Sequence, residues 1–317
     1  MNKFLENAKK GNNEIFGYVG GVFIIVVAYL LGQLPLFGLL FYKIQTNPDL
    51  GPEQLATFEE TKDFSVMHID KNLGFTILII MFIFALLGLL VTLRIQDKRF
   101  IDIVTSRIKI DTNRLLFGFG FWLVLGLIFE IINYALFPED YVFTYSFPQF
   151  WILLLISLIL LPIQSSTEEL VVRGWLMQGL SLVVENKWIL IIMTAIVFSA
   201  LHSFNPEIDN YGFWTMQWYY LGAGIFLALI TILDEGLELA LGIHFATNFY
   251  GSTLVNYQGG VLQTDSILKT TVSSPWFMIG VFYVSAIIFY FVCRKKYQFK
   301  PISSLNDRGN QEIAQAF

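Results

Sequence analysis

Eight stretches of this chain, at about residues 17–42, 73–93, 115–138, 150–182, 188–204, 214–232, 236–252 and 275–293, are apolar over a length comparable to the ~30 Å of bilayer hydrocarbon. No other feature narrows the fold as much. A backbone without water around it must satisfy its N–H and C=O groups internally, so segments of this kind become helices. The expectation is an all-α, polytopic integral membrane bundle of about eight transmembrane helices. Pro35 predicts a kink in the first. The fourth exceeds the ~20 residues that a crossing needs and must tilt, bend or leave the bilayer. Composition agrees, with 55% of residues hydrophobic and 14% charged, against roughly 25% charged in a soluble domain.

The connections sort by charge. Lys3, Lys9 and Lys10 precede the first span, Arg94, Lys98, Arg99, Arg107, Lys109 and Arg114 occupy the 94–114 connection, and Arg294, Lys295, Lys296 and Lys300 follow the last span. The alternate connections are acidic: 43–72 carries Asp49, Glu53, Glu59, Glu60, Asp63 and Asp70, 139–149 carries Glu139 and Asp140, and 205–213 carries Glu207 and Asp209. Basic connections stay on the cytoplasmic side, so both termini are expected inside. The first apolar run outlasts a signal-peptide core and is expected to be retained; no lipidation signal is expected. Segment 95–113 has two open readings, a surface-lying amphipathic helix or an ordinary basic loop. Residues 297–317 read as a polar tail. A single cysteine, Cys293, leaves no internal disulfide and no Cys-rich metal site. The glycines of FGFGFWLVLG lack the strand, turn and helix of a nucleotide fingerprint, and no nucleic-acid partner is expected.

Against this background QSSTEELVVRGW, residues 164–175, is costly. Glu169 and Arg173 are four apart, share a helix face and can neutralise each other. Glu168 points elsewhere and has no local basic partner, although Gln164 lies one turn before it on the same face. A carboxylate so placed is a candidate general base. In a later span Phe198 stands one turn before His202, and in another His244 and Asn248 are four apart. Three polar faces in apolar surroundings most economically meet around a cavity. Glu168 with His202 suits activation of a water, and His244 with Asn248 suits stabilisation of an oxyanion. Zinc held by Glu168, His202 and His244 is the alternative, although no His-Glu-x-x-His helix is present. A peptide-binding immunity protein without catalysis and a proton-coupled transporter also stay open.

Other polar groups read more plainly. Ser165, Ser166, Ser199 and Ser203 are expected to pack or to bond their own helices, His68 to sit on a loop surface, and Glu130 to pack or snorkel near its helix end. Asp234 and Glu235 either mark the inner surface or send Glu235 into the cavity. At 1.5 Å per residue Glu168 and His202 both lie about 21 Å from the inner ends of their helices, but His244 lies only about 10 Å from its own. The seventh helix must therefore start earlier, tilt or carry its polar face lower.

Taken in order, Glu168-Glu169-x-x-x-Arg173 followed by Gly174, then Phe198-x-x-x-His202, then His244-x-x-x-Asn248 resemble the CAAX-protease and bacteriocin-processing family of intramembrane endopeptidases, also described as the Abi or type II CAAX prenyl protease family. The resemblance covers about 150–252. It divides the chain into an N-terminal part, 1–149, with three spans, a catalytic core, 150–252, and a last helix and tail, 253–317. It implies a cavity open toward the cytosol, with Glu168 and His202 activating water, His244 and Asn248 forming the oxyanion site, and Glu169, Arg173 and Phe198 in support. It favours no cofactor, zinc being the older reading. The partners it implies are the lipid bilayer and a peptide or membrane-protein substrate. Bacterial relatives are linked with peptide maturation, bacteriocin self-immunity and envelope regulation. The compact loops look bacterial, which places the chain in a cytoplasmic membrane and speaks against a prenylated substrate.

Overall fold

Side-chain caps and prolines set where the apolar stretches become helices. Asp70, Asp111 and Asn186 accept backbone N–H groups of the first turns that follow them, satisfying donors that would otherwise be orphaned. The computed structural model describes residues 2–271 and 274–306. Its apolar helices are labelled α1 (Ile15–Thr46), α2 (Lys71–Ile95), α3 (Thr112–Leu136), α4 (Gln149–Ser181), α5 (Lys187–Leu201), α6 (Phe213–Asp234), α7 (Glu238–Phe249) and α8 (Pro275–Tyr297). In α1 the helix pauses at Gln33 and restarts with Pro35 in its first turn.

Of the eight expected crossings, two are shorter than a membrane span requires. Among the described residues six helices are long and apolar enough to cross a membrane. The other two are α5, with 15 residues, and α7, with 12; at 1.5 Å per residue they reach only about 22 and 18 Å. His202 ends α5 as its C-cap, and α7 passes into a π-helical turn, Tyr250–Leu254. Large apolar side chains crowd the outer faces of the long helices: Phe23, Ile131, Leu155 and Phe291 are all more than half exposed. Patches of that extent are foreign to a water-facing surface and suit lipid.

Helices α1 and α2 pack along each other, as do α3 and α7, and α5 and α6, while α4 runs between α2 and α7. Small residues allow the closest approach. A Cβ on Gly118 of α3 would come within 2.7 Å of the Leu239 carbonyl oxygen of α7, so the two backbones touch directly.

The connections gather on two sides. On one, Asn2 donates to the Ile232 carbonyl (2.7 Å), Asn7 to that of Asp102 (2.9 Å) and Lys98 to that of Ala8 (2.9 Å). This basic side includes the 94–114 connection, which forms neither a surface helix nor a free loop. It makes one short helix, Phe100–Val104, then folds inward, where Thr105 bridges to Gly236 and Leu237 N–H donates to the Val104 carbonyl (2.8 Å). On the other, acidic side lies a small sheet that the sequence pattern did not announce. Its strands are β1 (Tyr141–Phe143), β2 (Val255–Tyr257) and β3 (Leu268–Thr270), in the order β1-β3-β2, with β3 antiparallel to β1 and parallel to β2. Strands of three residues are too short to display a period. The 43–72 connection folds on its own core of Leu50, Phe58, Phe64 and Met67. The tail beyond Asn306 lies outside the described residues.

Candidate functional site

Helix α4 delivers the glutamates. It contains Pro162 and turns π-helical over Leu170–Leu176, directly after Glu169; π segments recur at functional sites because they re-aim side chains. Glu169 and Arg173 have fully buried side chains and pair at 2.9 Å. Glu169 does more than the sequence implied, because the same Oε1 also stands 2.8 Å from Nδ1 of His244 on α7. A carboxylate in that position holds the imidazole in one orientation with Nδ1–H toward it. Phe198 lies between two partners, its ring 4.2 Å from the Arg173 guanidinium and 4.3 Å from the His202 ring. Gly174 packs under the Ile103 carbonyl, where a Cβ would come within 2.8 Å, so the basic-side connection closes directly beneath the motif.

Glu168 has its two oxygens in different surroundings. Oε1 accepts a hydrogen bond from Gln164 Nε2 (2.6 Å), and Gln164 Oε1 accepts one from Asn248 Nδ2 (2.7 Å). One glutamine thus ties the first and third motifs together. Oε2 is buried without a hydrogen-bond partner. It lies 3.5 Å from Nε2 of His244 and 3.9 Å from Nε2 of His202. His202 Nδ1 is 2.8 Å from the Phe198 carbonyl. Since a carbonyl only accepts, the proton sits on Nδ1, and Nε2 presents a lone pair toward Glu168.

These groups form part of the wall of a mostly apolar cavity of about 1030 Å³ that extends from α1 and α2, past Glu168, to α6 and α8 and the acidic-side connections. The lining includes Tyr29, Gln164, Glu168, His202, Tyr220, His244 and Asn248. Tyr220 is a member that sequence reasoning missed; its ring stacks 4.7 Å from that of His202 and its hydroxyl accepts from Asn205 (3.2 Å). No spacing rule marks it within WYYLGAG.

The remaining polar groups fall elsewhere. Ser165 and Ser203 donate to carbonyls one turn back in the chain, whereas Ser199 donates across to the Gln217 side chain of α6. Cys293 is buried between α8 and its neighbours, and the His68 carbonyl accepts from Lys43 in the acidic-side connection. Glu130 packs under the sheet, taking hydrogen bonds from the phenols of Tyr141 and Tyr257. Glu235 does not enter the cavity: its carboxylate accepts the Lys3 N–H (3.2 Å) on the basic side. Asp234 and Glu238 are buried and paired with Arg107 and Arg114. That pairing settles the depth mismatch of His244, because α7 begins inside the protein, above a floor made by the 98–107 connection. Among the described residues no group of three or more His, Cys, Asp and Glu side chains is arranged to hold a metal ion; Glu168, His202 and His244 meet at the distances given without forming such a group.

Comparison with known proteins adds the following. The chain is 29% identical over 252 residues, 79% of its length, to Uncharacterized protein YyaK of Bacillus subtilis (strain 168), of which the match covers 81%. No solved structure matches. Residues 147–250 match the family model described as Type II CAAX prenyl endopeptidase Rce1-like. The stretch that brings Glu168, His202, His244 and Asn248 to one cavity is therefore matched as a CAAX-protease, Rce1-like domain of the CPBP/Abi superfamily.

Proposed function

We propose that the protein is an intramembrane endopeptidase that hydrolyses a peptide bond of a membrane-associated peptide or protein. The observation that carries this reading is the buried Oε2 of Glu168, without a hydrogen bond and within 3.5 and 3.9 Å of two imidazole Nε2 atoms. A water lodged there donates one O–H to Glu168 Oε2 and the other to the lone pair of His202 Nε2, leaving its own lone pair toward the cavity. As its oxygen bonds to the substrate carbonyl carbon, one proton passes to Glu168. The carbonyl oxygen becomes an oxyanion, which takes hydrogen bonds from Asn248 Nδ2–H and from Nε2–H of a doubly protonated His244, each of whose ring nitrogens faces a carboxylate. Collapse breaks the C–N bond, and Glu168 returns its proton to the departing nitrogen, giving a carboxylic acid and an amine.

The supporting groups have defined tasks. Glu169 fixes His244, Arg173 offsets the charge of Glu169, and Gln164 holds both Glu168 and Asn248. A pocket of about 1030 Å³ exceeds the usual range for small ligands and accommodates a peptide segment. The Lys- and Arg-rich connections gather on one side, which supports an orientation with that side, and both termini, in the cytoplasm of a bacterial cell.

The test is a comparison of membrane and secreted peptides between cells carrying wild type and Glu168→Gln. Peptides that disappear only in the variant, at equal protein abundance, are the products. Full product formation by the variant sinks the mechanism.

A further inference from the structure

The acidic-side end of the cavity holds a second carboxylate that the reaction above does not use. Glu207 lies in the short helix Pro206–Tyr211, between α5 and α6, and contributes to the cavity wall. One of its oxygens is structural: Oε1 accepts the Val261 N–H (2.9 Å) and ties down the connection that leads to β3. The other, Oε2, is enclosed and has no hydrogen bond of good geometry, the Tyr220 phenol being the hydroxyl close enough to interact with the carboxylate. Among the described residues no lysine or arginine pairs with it. Its neighbours are the phenols of Tyr219 and Tyr220, and Tyr220 stacks on His202, so the carboxylate and the reacting centre share one wall. Burial pushes the Glu207 carboxyl above its ordinary value; a buried carboxylate without a cation is costly.

A structural role explains Oε1, and beyond the Tyr220 phenol nothing answers the charge of the carboxylate. A glutamine would brace Val261 equally well without the cost of a buried charge. A carboxylate flanked by aromatic rings, at the end of an otherwise apolar channel, is the arrangement that selects a cation by ion pairing and cation–π contact. We infer that Glu207 is a specificity residue that binds a cationic group of the substrate, a lysine or arginine side chain or a free amino terminus, while the adjoining apolar segment lies along the cavity toward Glu168. The substrate class rests on the endopeptidase reading; the recognition of a cation by Glu207 does not.

The test separates binding from cleavage. Full-length protein carrying Glu168→Gln, in detergent or nanodiscs, is titrated against fluorescent apolar peptides that differ at one scanned position, lysine or norleucine, each with a free or an acetylated amino terminus. A cationic peptide is expected to bind about tenfold or more tightly than its neutral counterpart, as desolvated charge pairs do. Adding Glu207→Gln, which retains the acceptor for Val261, should abolish the difference, and adding Glu207→Asp should preserve most of it. Loss of discrimination on acetylation identifies the amino terminus as the cation; persistence identifies the side chain. Equal binding of charged and neutral peptides, discrimination that survives Glu207→Gln, or no binding of any peptide overturns the inference. Cleavage of the same peptides by wild type is read separately. Charge-selective binding without cleavage counts against the endopeptidase alone, and cleavage indifferent to charge counts against Glu207 alone.

Discussion

On the basic side the buried carboxylates Asp234 and Glu238 have fully enclosed side chains, and two arginines answer them. Arg114 pairs with Asp234 Oδ1, Arg107 reaches Asp234 Oδ2 at 3.3 Å and Glu238 Oε2 at 3.0 Å, and the Asp111 N–H donates to Glu238 Oε1 at 3.2 Å. Asp111 also pairs with Arg114, and each oxygen of Asp234 and Glu238 faces a guanidinium or an N–H, although Asp234 Oδ2 meets Arg107 as an ion pair and makes no hydrogen bond. Deeper in the bundle, Glu168 and Glu169 share one arginine and two histidines, and Glu168 Oε2, Glu169 Oε2 and Arg173 Nε have no hydrogen bond. Burying ions is expensive, so a cluster that only braces a fold is driven toward complete pairing. An incompletely paired cluster facing a cavity has another claim on those atoms.

Breaking each cluster should give different losses. Glu168→Gln should cost about 10²–10⁴-fold in cleavage rate, the range of one general base, while the amount of folded protein extracted from membranes stays at wild-type level. Arg173→Met should remove folded protein itself, by about 3–5 kcal/mol, because it strands a fully buried Glu169; equal thermal stability of variant and wild type would refute the pairing. Asn248→Ala should lower kcat by about 10²–10³-fold with little change in KM, as loss of an oxyanion donor does. A matched fall in folded protein would instead reduce Asn248 to a brace for Gln164.

On the basic side, Glu238→Gln should lower stability by about 1–3 kcal/mol and leave cleavage per folded molecule unchanged, since Glu238 touches no group in the cavity. A variant that folds normally but cleaves slowly would erase the distinction between the two clusters. The smallest effect expected is none: a strong chelator should leave cleavage at its starting rate if carboxylate and imidazole suffice to activate water. Stoichiometric zinc by elemental analysis, together with chelator-sensitive cleavage, would replace that mechanism.

The local part of the site was legible in the sequence wherever both partners lie on one helix. Glu169 with Arg173 and Gln164 with Glu168 are i, i+4 pairs, and both contacts form. The contacts of Glu169 with His244 and of Gln164 with Asn248 join α4 to α7, and no spacing encodes them. Glu169, read from sequence as the self-compensated acid, turns out to position a histidine. The short α5 and α7 were read as full spans because apolar composition measures burial from water, and helix ends buried in protein give the same signal as ends at a membrane surface.

The class of the molecule and the inventory of its chemistry follow from the order of residues alone. Apolar stretches of that length have only helices available to them, and polar residues spaced by four must share a face. The tertiary structure decided which carboxylate oxygens remain unpaired, since that depends on what other helices bring within 4 Å. Glu207 shows the difference most clearly. In the sequence it is one acid in a short acidic connection, and only the fold bends that connection over the cavity, spends one oxygen on Val261 and leaves the other facing inward.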